Sequence, residues 1–216
     1  MFVSNRRLTA LDNILTQIDQ GLRTAFSSAP QPERMSPADT LTDIDLNDKD
    51  RARSIGLMRV NHTGEVCAQA LYQGQALTAQ VAEVREQMKH SAAEEIDHLA
   101  WCEQRIKKLG GETSLLNPIW YAMSFGIGVG TGLISDKLSL GFVAATEDQV
   151  SAHLSNHLSD LPKKDLLSRA IVEEMLVDEQ RHAQAAREAG GYEFPSPVKK
   201  LMTLASSAMT LSSYHL

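Results

Sequence analysis

At 216 residues, 43% of them hydrophobic and 5% aromatic, the chain has room for one well-filled core plus an appendage rather than two full domains. A formal net charge of −6 argues against nucleic acid as a partner and against purely electrostatic attachment to an anionic membrane. The two cysteines, Cys67 and Cys102, form no Cys-x-x-Cys pair, so a reducing compartment and two small buried thiols are expected.

In chain order, Leu8, Leu11, Ile14, Leu15, Ile18 and Leu22 recur at helical spacing and predict an amphipathic helix over residues 5–26. Arg6 and Arg7 imitate a charged leader, but Asp12, Asn13, Gln17 and Asp19 interrupt the apolar run that an export signal needs, and no signal peptide is expected. The helix's apolar stripe can face the rest of the chain, a second subunit or a lipid surface, and the residues leave the three open. Pro30, Pro32, Pro37 and several serines make residues 27–48 a linker that sustains no helix and buries little apolar area. Residues 1–47 therefore read as an appendage and 48–216 as the catalytic part, with Asp48 the expected N-cap of its first helix.

That helix is expected to continue to about Thr78. Met58, His62, Ala68, Gln69 and Tyr72 share a face with Glu65, which places a carboxylate on a mostly inward-looking stripe. Buried Glu is unusual unless paired or metal-bound. Gly64 marks either a close helix crossing or room for a metal or substrate; His62 is either a ligand or a hydrogen-bonded neighbour. A second helix, about 83–109 and stopped by Gly110-Gly111, carries Glu95-Ile96-Asp97-His98. Residues three apart lie on one helix face, so this Glu-x-x-His aims a carboxylate and an imidazole at one point. The separation 95 − 65 = 30 has its midpoint at residue 80. A turn there brings Glu65 opposite Glu95 and His98 after about 22 Å of rise on each arm. No Gly or Pro signals that turn.

From Pro118 to Ser135 no residue is charged, and Gly126, Gly128, Gly130 and Gly132 alternate through the most lipophilic part of the chain. The spacing is not Gly-x-Gly-x-x-Gly, so no dinucleotide fingerprint is present. The length barely reaches a membrane span. An extra crossover helix, divided between burial and membrane contact, is expected. The first half's construction then repeats: Asp136 is the expected N-cap of a helix bearing Glu147, Asp160-Leu161-Pro162-Lys163-Lys164 breaks the chain, and Glu179-Gln180-Arg181-His182 follows at 179 − 147 = 32 before Gly190-Gly191. Val198, Leu201, Leu204, Ala205, Ala208 and Leu211 predict a last amphipathic helix.

Two hairpins, each setting a Glu against a Glu-x-x-His, predict an all-α, four-helix bundle with a six-donor site at its centre. Four carboxylates and two imidazoles suit two iron or manganese ions better than zinc, and two divalent cations neutralise four carboxylates. Asp97 and Asp178 either hold the ligand rings or form salt bridges. Glu94, Glu173 and Glu174 read as solvated.

Arg59-Val60-Asn61-His62-Thr63-Gly64-Glu65, the Glu95/His98 pair, Glu147 with His153 six residues later, and Glu179/His182 together resemble the demethoxyubiquinone hydroxylase family of ubiquinone biosynthesis, diiron monooxygenases of the ferritin-like superfamily. The resemblance covers roughly residues 48–216. It implies that Glu65, Glu95, His98, Glu147, Glu179 and His182 hold two iron ions, with Glu95 and Glu179 bridging, and that His62, His153, Asp97 and Asp178 stand around them. It further implies ring hydroxylation of a polyprenyl methoxy-methyl-benzoquinol: one atom of dioxygen enters the ring, the other leaves as water, and two electrons come from a donor, NADH in this family. Peripheral attachment to the cytoplasmic side of the cell membrane, other ubiquinone-biosynthesis proteins as partners and a homo-oligomer belong to the same expectation. The rival readings are a ferritin-like ferroxidase or iron-binding protein, a peroxide-reducing rubrerythrin-type enzyme, a diiron hydroxylase of modified tRNA, and a membrane-associated scaffold. The missing Cys-rich iron module, the acidic charge and the intact six-donor spacing weigh against the last three in turn.

Overall fold

The computed structural model describes residues 31–216 together with Asp19, Gly21 and Thr24, so the helix expected over residues 5–26 lies almost wholly outside the described residues. From Asp48 onward the described chain is six helices and no strand: α1 (Asp48–Thr78), α2 (Ala82–Lys108), α3 (Asn117–Ile134), α4 (Asp136–Asp160), α5 (Leu166–Glu188) and α6 (Ser196–His215). Helices α1 and α2 form one hairpin and α4 and α5 the other. Helix α3 crosses between them, and the arrangement is the all-α, ferritin-like bundle expected from the pattern.

Helix ends explain the register. Helix α1 is capped by Asn47, not Asp48: the Asn47 backbone is extended and its side chain accepts from the Asp50 amide at 2.9 Å. Asp48 and Asp50 fall instead in the first turn, where the helix dipole favours acidic side chains. Helix α4 is likewise capped one residue earlier than expected, by Ser135, which accepts from the Leu138 amide at 3.1 Å. Released from capping, the Asp136 carboxylate reaches across to the other hairpin, where its two oxygens accept from the amides of Gln80 at 2.9 Å and Val81 at 2.7 Å. The turn between α1 and α2 thus needs no Gly or Pro, because a side chain from the other hairpin satisfies it. Helices α2 and α5 both end where the sequence places them, at Gly110 (φ 81°) and Gly190 (φ 93°), each in the left-handed region that only glycine enters freely.

The alternating glycines of α3 divide by face. A Cβ on Gly128 would overlap the Leu71 carbonyl, and one on Gly132 the Thr78 hydroxyl, so α3 docks against α1 nearly backbone to backbone. Gly126 and Gly130 face open space, and Ile119, Met123, Ile127, Leu133 and Ile134 are exposed. No helix among the described residues is long and apolar enough to cross a membrane. Helix α6 is held mainly at its end, where Tyr214 packs on Gly56 and its carbonyl accepts from Arg59 at 3.0 Å; Leu201, Leu204 and Leu211 are exposed.

The core is two apolar clusters. One gathers Met58, Trp101, Ile106, Leu154, Ile171 and Met175; the other gathers Tyr72, Met88, Leu140, Val143, Ala144 and Ala186. Residues 31–47 are non-helical, as the prolines require, but they are more than a solvated linker: Ser36, Ala38 and Leu46 are buried, and Asp43 pairs with buried Arg105 at 2.8 Å. Polar side chains attach this segment to the bundle, an attachment that a low apolar content does not reveal.

Candidate metal centre

Between the two clusters along the helices lie Glu65 on α1, Glu95 and His98 on α2, Glu147 on α4, and Glu179 and His182 on α5, none more than 4% exposed. They form two overlapping groups of four donors, Glu65/Glu95/His98/Glu179 and Glu95/Glu147/Glu179/His182, with the donor atoms of each group within 4.8 Å of one another. Glu95 and Glu179 belong to both groups.

The imidazoles are oriented by an exchange between hairpins. His98 Nδ1 faces the cluster, 3.1 Å from Glu95 Oε2, 3.3 Å from Glu179 Oε1 and 3.5 Å from Glu65 Oε2. Its Nε2 lies 3.0 Å from Asp178 Oδ2, the carboxylate just before the other motif. His182 mirrors this: Nδ1 is 3.3 Å from both Glu95 Oε1 and Glu179 Oε2, and Nε2 is 2.9 Å from Glu94 Oε2, just before the first motif. Each Nε2 meets a carboxylate outside the cluster and each Nδ1 turns inward; with the proton kept on Nε2 against that carboxylate, the Nδ1 lone pair is the one presented to a metal. Glu94 is therefore not a solvated acid. The bond from His182, then that from Arg181, lowers its carboxyl to about 2. Asp97 does the reverse of one expectation: it touches no imidazole and takes the salt-bridging role, with Arg34 Nε at 2.7 Å and the Glu33 amide at 2.7 Å.

His62 and His153, the other two histidines of the expected surroundings, join no metal-competent group. His62 is buried with Nδ1 3.4 Å from the Asn117 amide nitrogen, and burial lowers it to about 4. His153 packs against His157 with ring centroids 3.8 Å apart and the rings tilted by 57°, and His157 joins none either. Both Cys67 and Cys102 are free thiols; Cys102 is buried and Cys67 only half-buried.

The charges of the cage favour a cationic occupant. Burial, then repulsion from Glu95, pushes the Glu65 carboxyl well above its ordinary value, and burial with repulsion from Glu179 and Glu95 does the same to Glu147. Burial disfavours imidazolium too, yet the surrounding carboxylates, Asp178 first, carry His98 well upward. Both shifts favour positive charge among the carboxylates, which divalent cations would supply. Glu147 Oε2 is buried with no hydrogen-bond partner, and Glu95 Oε1 and Glu179 Oε1 have only imidazole nitrogens at 3.3 Å. Inward-facing carboxylate oxygens without donors, together with an oxygen-rich, sulfur-free donor set, fit a pair of hard divalent cations.

Two further residues complete the site. Tyr72 donates to Glu147 Oε1 at 2.6 Å; its place two turns beyond Glu65 on the same face was legible, its partner across the bundle was not. Arg34, from the segment before α1, lies 2.8 Å from Asp178, and nothing in its local sequence signals that. Beside Glu65 a small cavity of about 40 Å³ is lined by Gly64, Val150, His153, Met209 and Thr210. A Cβ on Gly64 would meet nothing within 4 Å, so this glycine makes room rather than a helix crossing.

Residues 52–213 match the family described as ubiquinone biosynthesis protein COQ7. Among similar proteins, the 3-demethoxyubiquinol 3-hydroxylase of Pseudomonas fluorescens (strain Pf0-1) is 57% identical over 213 residues, 99% of both chains. The enzymes of the same name from Stutzerimonas stutzeri (strain A1501) and Pseudomonas putida (strain GB-1) are 57% and 56% identical over the same share. These alignments also take in the N-terminal segment that the sequence motifs did not reach. By the extent of the family match and the full-length identity, the chain belongs to the ubiquinone biosynthesis protein COQ7 family.

Proposed function

We propose that this chain is a monooxygenase that hydroxylates the ring of a polyprenyl demethoxyubiquinol in ubiquinone biosynthesis, with Glu65, Glu95, His98, Glu147, Glu179 and His182 holding two iron ions. The observation that carries the reading is the pair of overlapping four-donor groups sharing Glu95 and Glu179, a cage for two adjacent cations with two common carboxylates. The names of the relatives supply the substrate class. When bound, the metal pair supplies reductive activation of dioxygen; the rest is the work of the chain. Asp178 and Glu94 keep the Nε2 protons and present both Nδ1 lone pairs. Tyr72 fixes one oxygen of Glu147 and leaves the other for metal. The apolar clusters on either side exclude water from the electron-rich ring.

In this reading the ring approaches from the Gly64 cavity. That space holds about one water, so α6, through Met209 and Thr210, moves outward to admit a ring. The exposed apolar side chains of α3 and α6 give the polyprenyl tail and the cytoplasmic leaflet a surface, which makes the protein a peripheral membrane enzyme. Residues 48–216 are the catalytic unit, and NADH is the electron source, acting without a nicotinamide fingerprint in this chain. Purified protein reconstituted with ferrous iron is expected to retain two ions per chain and, under air with NADH, to add one hydroxyl to a demethoxyquinol. Less than one iron per chain, or no product from iron-loaded protein, overturns the proposal.

A further inference from the structure

We infer that Arg34 is a positioning residue: it closes the seam between the two Glu-x-x-His helices and thereby fixes the His98 half of the metal centre, an inference that rests on the diiron reading above. Its guanidinium reaches both hairpins. Nε donates to Asp97 Oδ2 on α2 at 2.7 Å, and Nη1 lies 2.8 Å from Asp178 Oδ2 on α5. Asp178 Oδ2 is the same oxygen that faces His98 Nε2 at 3.0 Å, and Arg34 Nη2 is itself 3.4 Å from that nitrogen, so the arginine stands against both the carboxylate and the imidazole it aims.

The segment bearing Arg34 is seated by its own contacts. The Glu33 amide donates to Asp97 Oδ1 at 2.7 Å, the guanidinium lies 4.9 Å over the Trp101 ring, and the Trp101 indole donates to the Arg34 carbonyl at 3.4 Å. Further along, Asp43 pairs with Arg105 at 2.8 Å, and Arg105 reaches Asp165 before α5 at 2.8 Å. The strap is thus tied to both hairpins at two levels.

A planar fork spans two carboxylates that an ammonium cannot span. The Asp97 and Asp178 side chains are only 4% and 6% exposed, so without Arg34 the Asp97 charge is poorly compensated and Asp178, still held by Arg181 on Oδ1 at 2.8 Å, loses the cation on the oxygen that faces His98. His182 has no such dependence. Its carboxylate, Glu94, is held by Arg181 at 2.9 Å, from the same helix as His182. Arg181 on α5 also pairs with Asp178 Oδ1 at 2.8 Å, so the helix supports both carboxylates, and the loop-borne Arg34 adds a second cation only on the Asp178 oxygen that faces His98.

The test compares iron-loaded wild type, Arg34→Ala, Arg34→Lys and Asp97→Asn, with the surface pair variant Arg53→Ala as control, in iron release to a chelator and in Mössbauer spectra. Arg34→Ala is expected to release one of its two irons about tenfold faster or more, with one of two spectral sites perturbed. The second iron keeps the wild-type rate, and Arg34→Lys falls between. Asp97→Asn shows the same asymmetry and keeps the test decisive if Arg34→Ala fails to fold. Release at wild-type rates, or equal acceleration of both irons as a merely structural loss would give, overturns the inference. Wild-type protein that retains no iron refutes the diiron reading itself, and that result is read before any variant is compared.

Discussion

Glu65 in the first hairpin and Glu147 in the second occupy equivalent places, 30 and 32 residues before their Glu-x-x-His partners, yet their surroundings differ (95 − 65 and 179 − 147). Glu147 is closed in by the Tyr72 hydroxyl at 2.6 Å. Glu65 has no phenol on it and borders the cavity at Gly64. The difference assigns labour within a duplicated frame: in the proposed reaction, one side anchors metal and the other receives substrate.

The most drastic way to break this comparison is to remove what the halves share. Glu95→Ala or Glu179→Ala is expected to abolish binding of both irons and all turnover, whereas Glu65→Ala or Glu147→Ala leaves one iron per chain; metal analysis of the four variants distinguishes shared from private donors. Next comes Glu94→Ala, which deprives His182 of its acceptor. A loss of about 10- to 100-fold in metal affinity is expected, confined to the second group, and wild-type affinity would return Glu94 to the solvent. Gly64→Val sharpens the contrast by filling the cavity beside Glu65. Iron content is expected to stay at the wild-type value while kcat/KM falls about tenfold, equivalent to about 1.4 kcal/mol; unchanged kinetics would move the substrate to another face.

The smallest expected effect is a change of slope with pH. Glu65 and Glu147 have folded values well above their ordinary 4.5, and His98 and His182 lie above 6.5. Below about pH 6.5 His62, His153 and His157, all lowered by burial, offset this by shedding protons on folding; between about pH 6.5 and about pH 8 the metal-free folded chain binds more protons than the unfolded one, so this contribution to stability is lost as pH rises. Metal reverses the sign, because protons then compete with it for the same donors. Thermal melts of both forms across that range are expected to slope oppositely, and parallel slopes would mean that protons do not stand in for metal.

Much of this was legible in the sequence because a helix converts spacing into direction. The four helices of the bundle, the crossover and the six inward donors follow from period and separation alone, and Gly110 and Gly190 end their helices at the expected places. What escaped were contacts made across large separations. Glu94 looks solvated within α2 and becomes a partner only when α5 brings His182 to it. Asp97 and Asp178 look alike beside their motifs, but only Asp178 meets an imidazole. Arg34 sits in a proline-rich segment whose composition speaks against helix yet says nothing about where one arginine lands. The caps shifted by one residue because Asn47 and Ser135 compete with the following aspartates for the same backbone amides.

The Asp136 carboxylate, bonded to the amides of Gln80 and Val81, bears on how the chain assembles. The corner of the first hairpin is completed by the first residue of a helix in the second, so in a nascent chain that has not yet reached residue 136 these two exposed amides are left to water where α2 begins. Helix α3 delivers that residue, and its 18-residue length sets how far along α1 the carboxylate arrives. The lipophilic crossover thus acts as a measuring rod: lengthening it by one residue would pull Asp136 off the corner and, through the start of α2, disturb the level at which Glu95 faces Glu65.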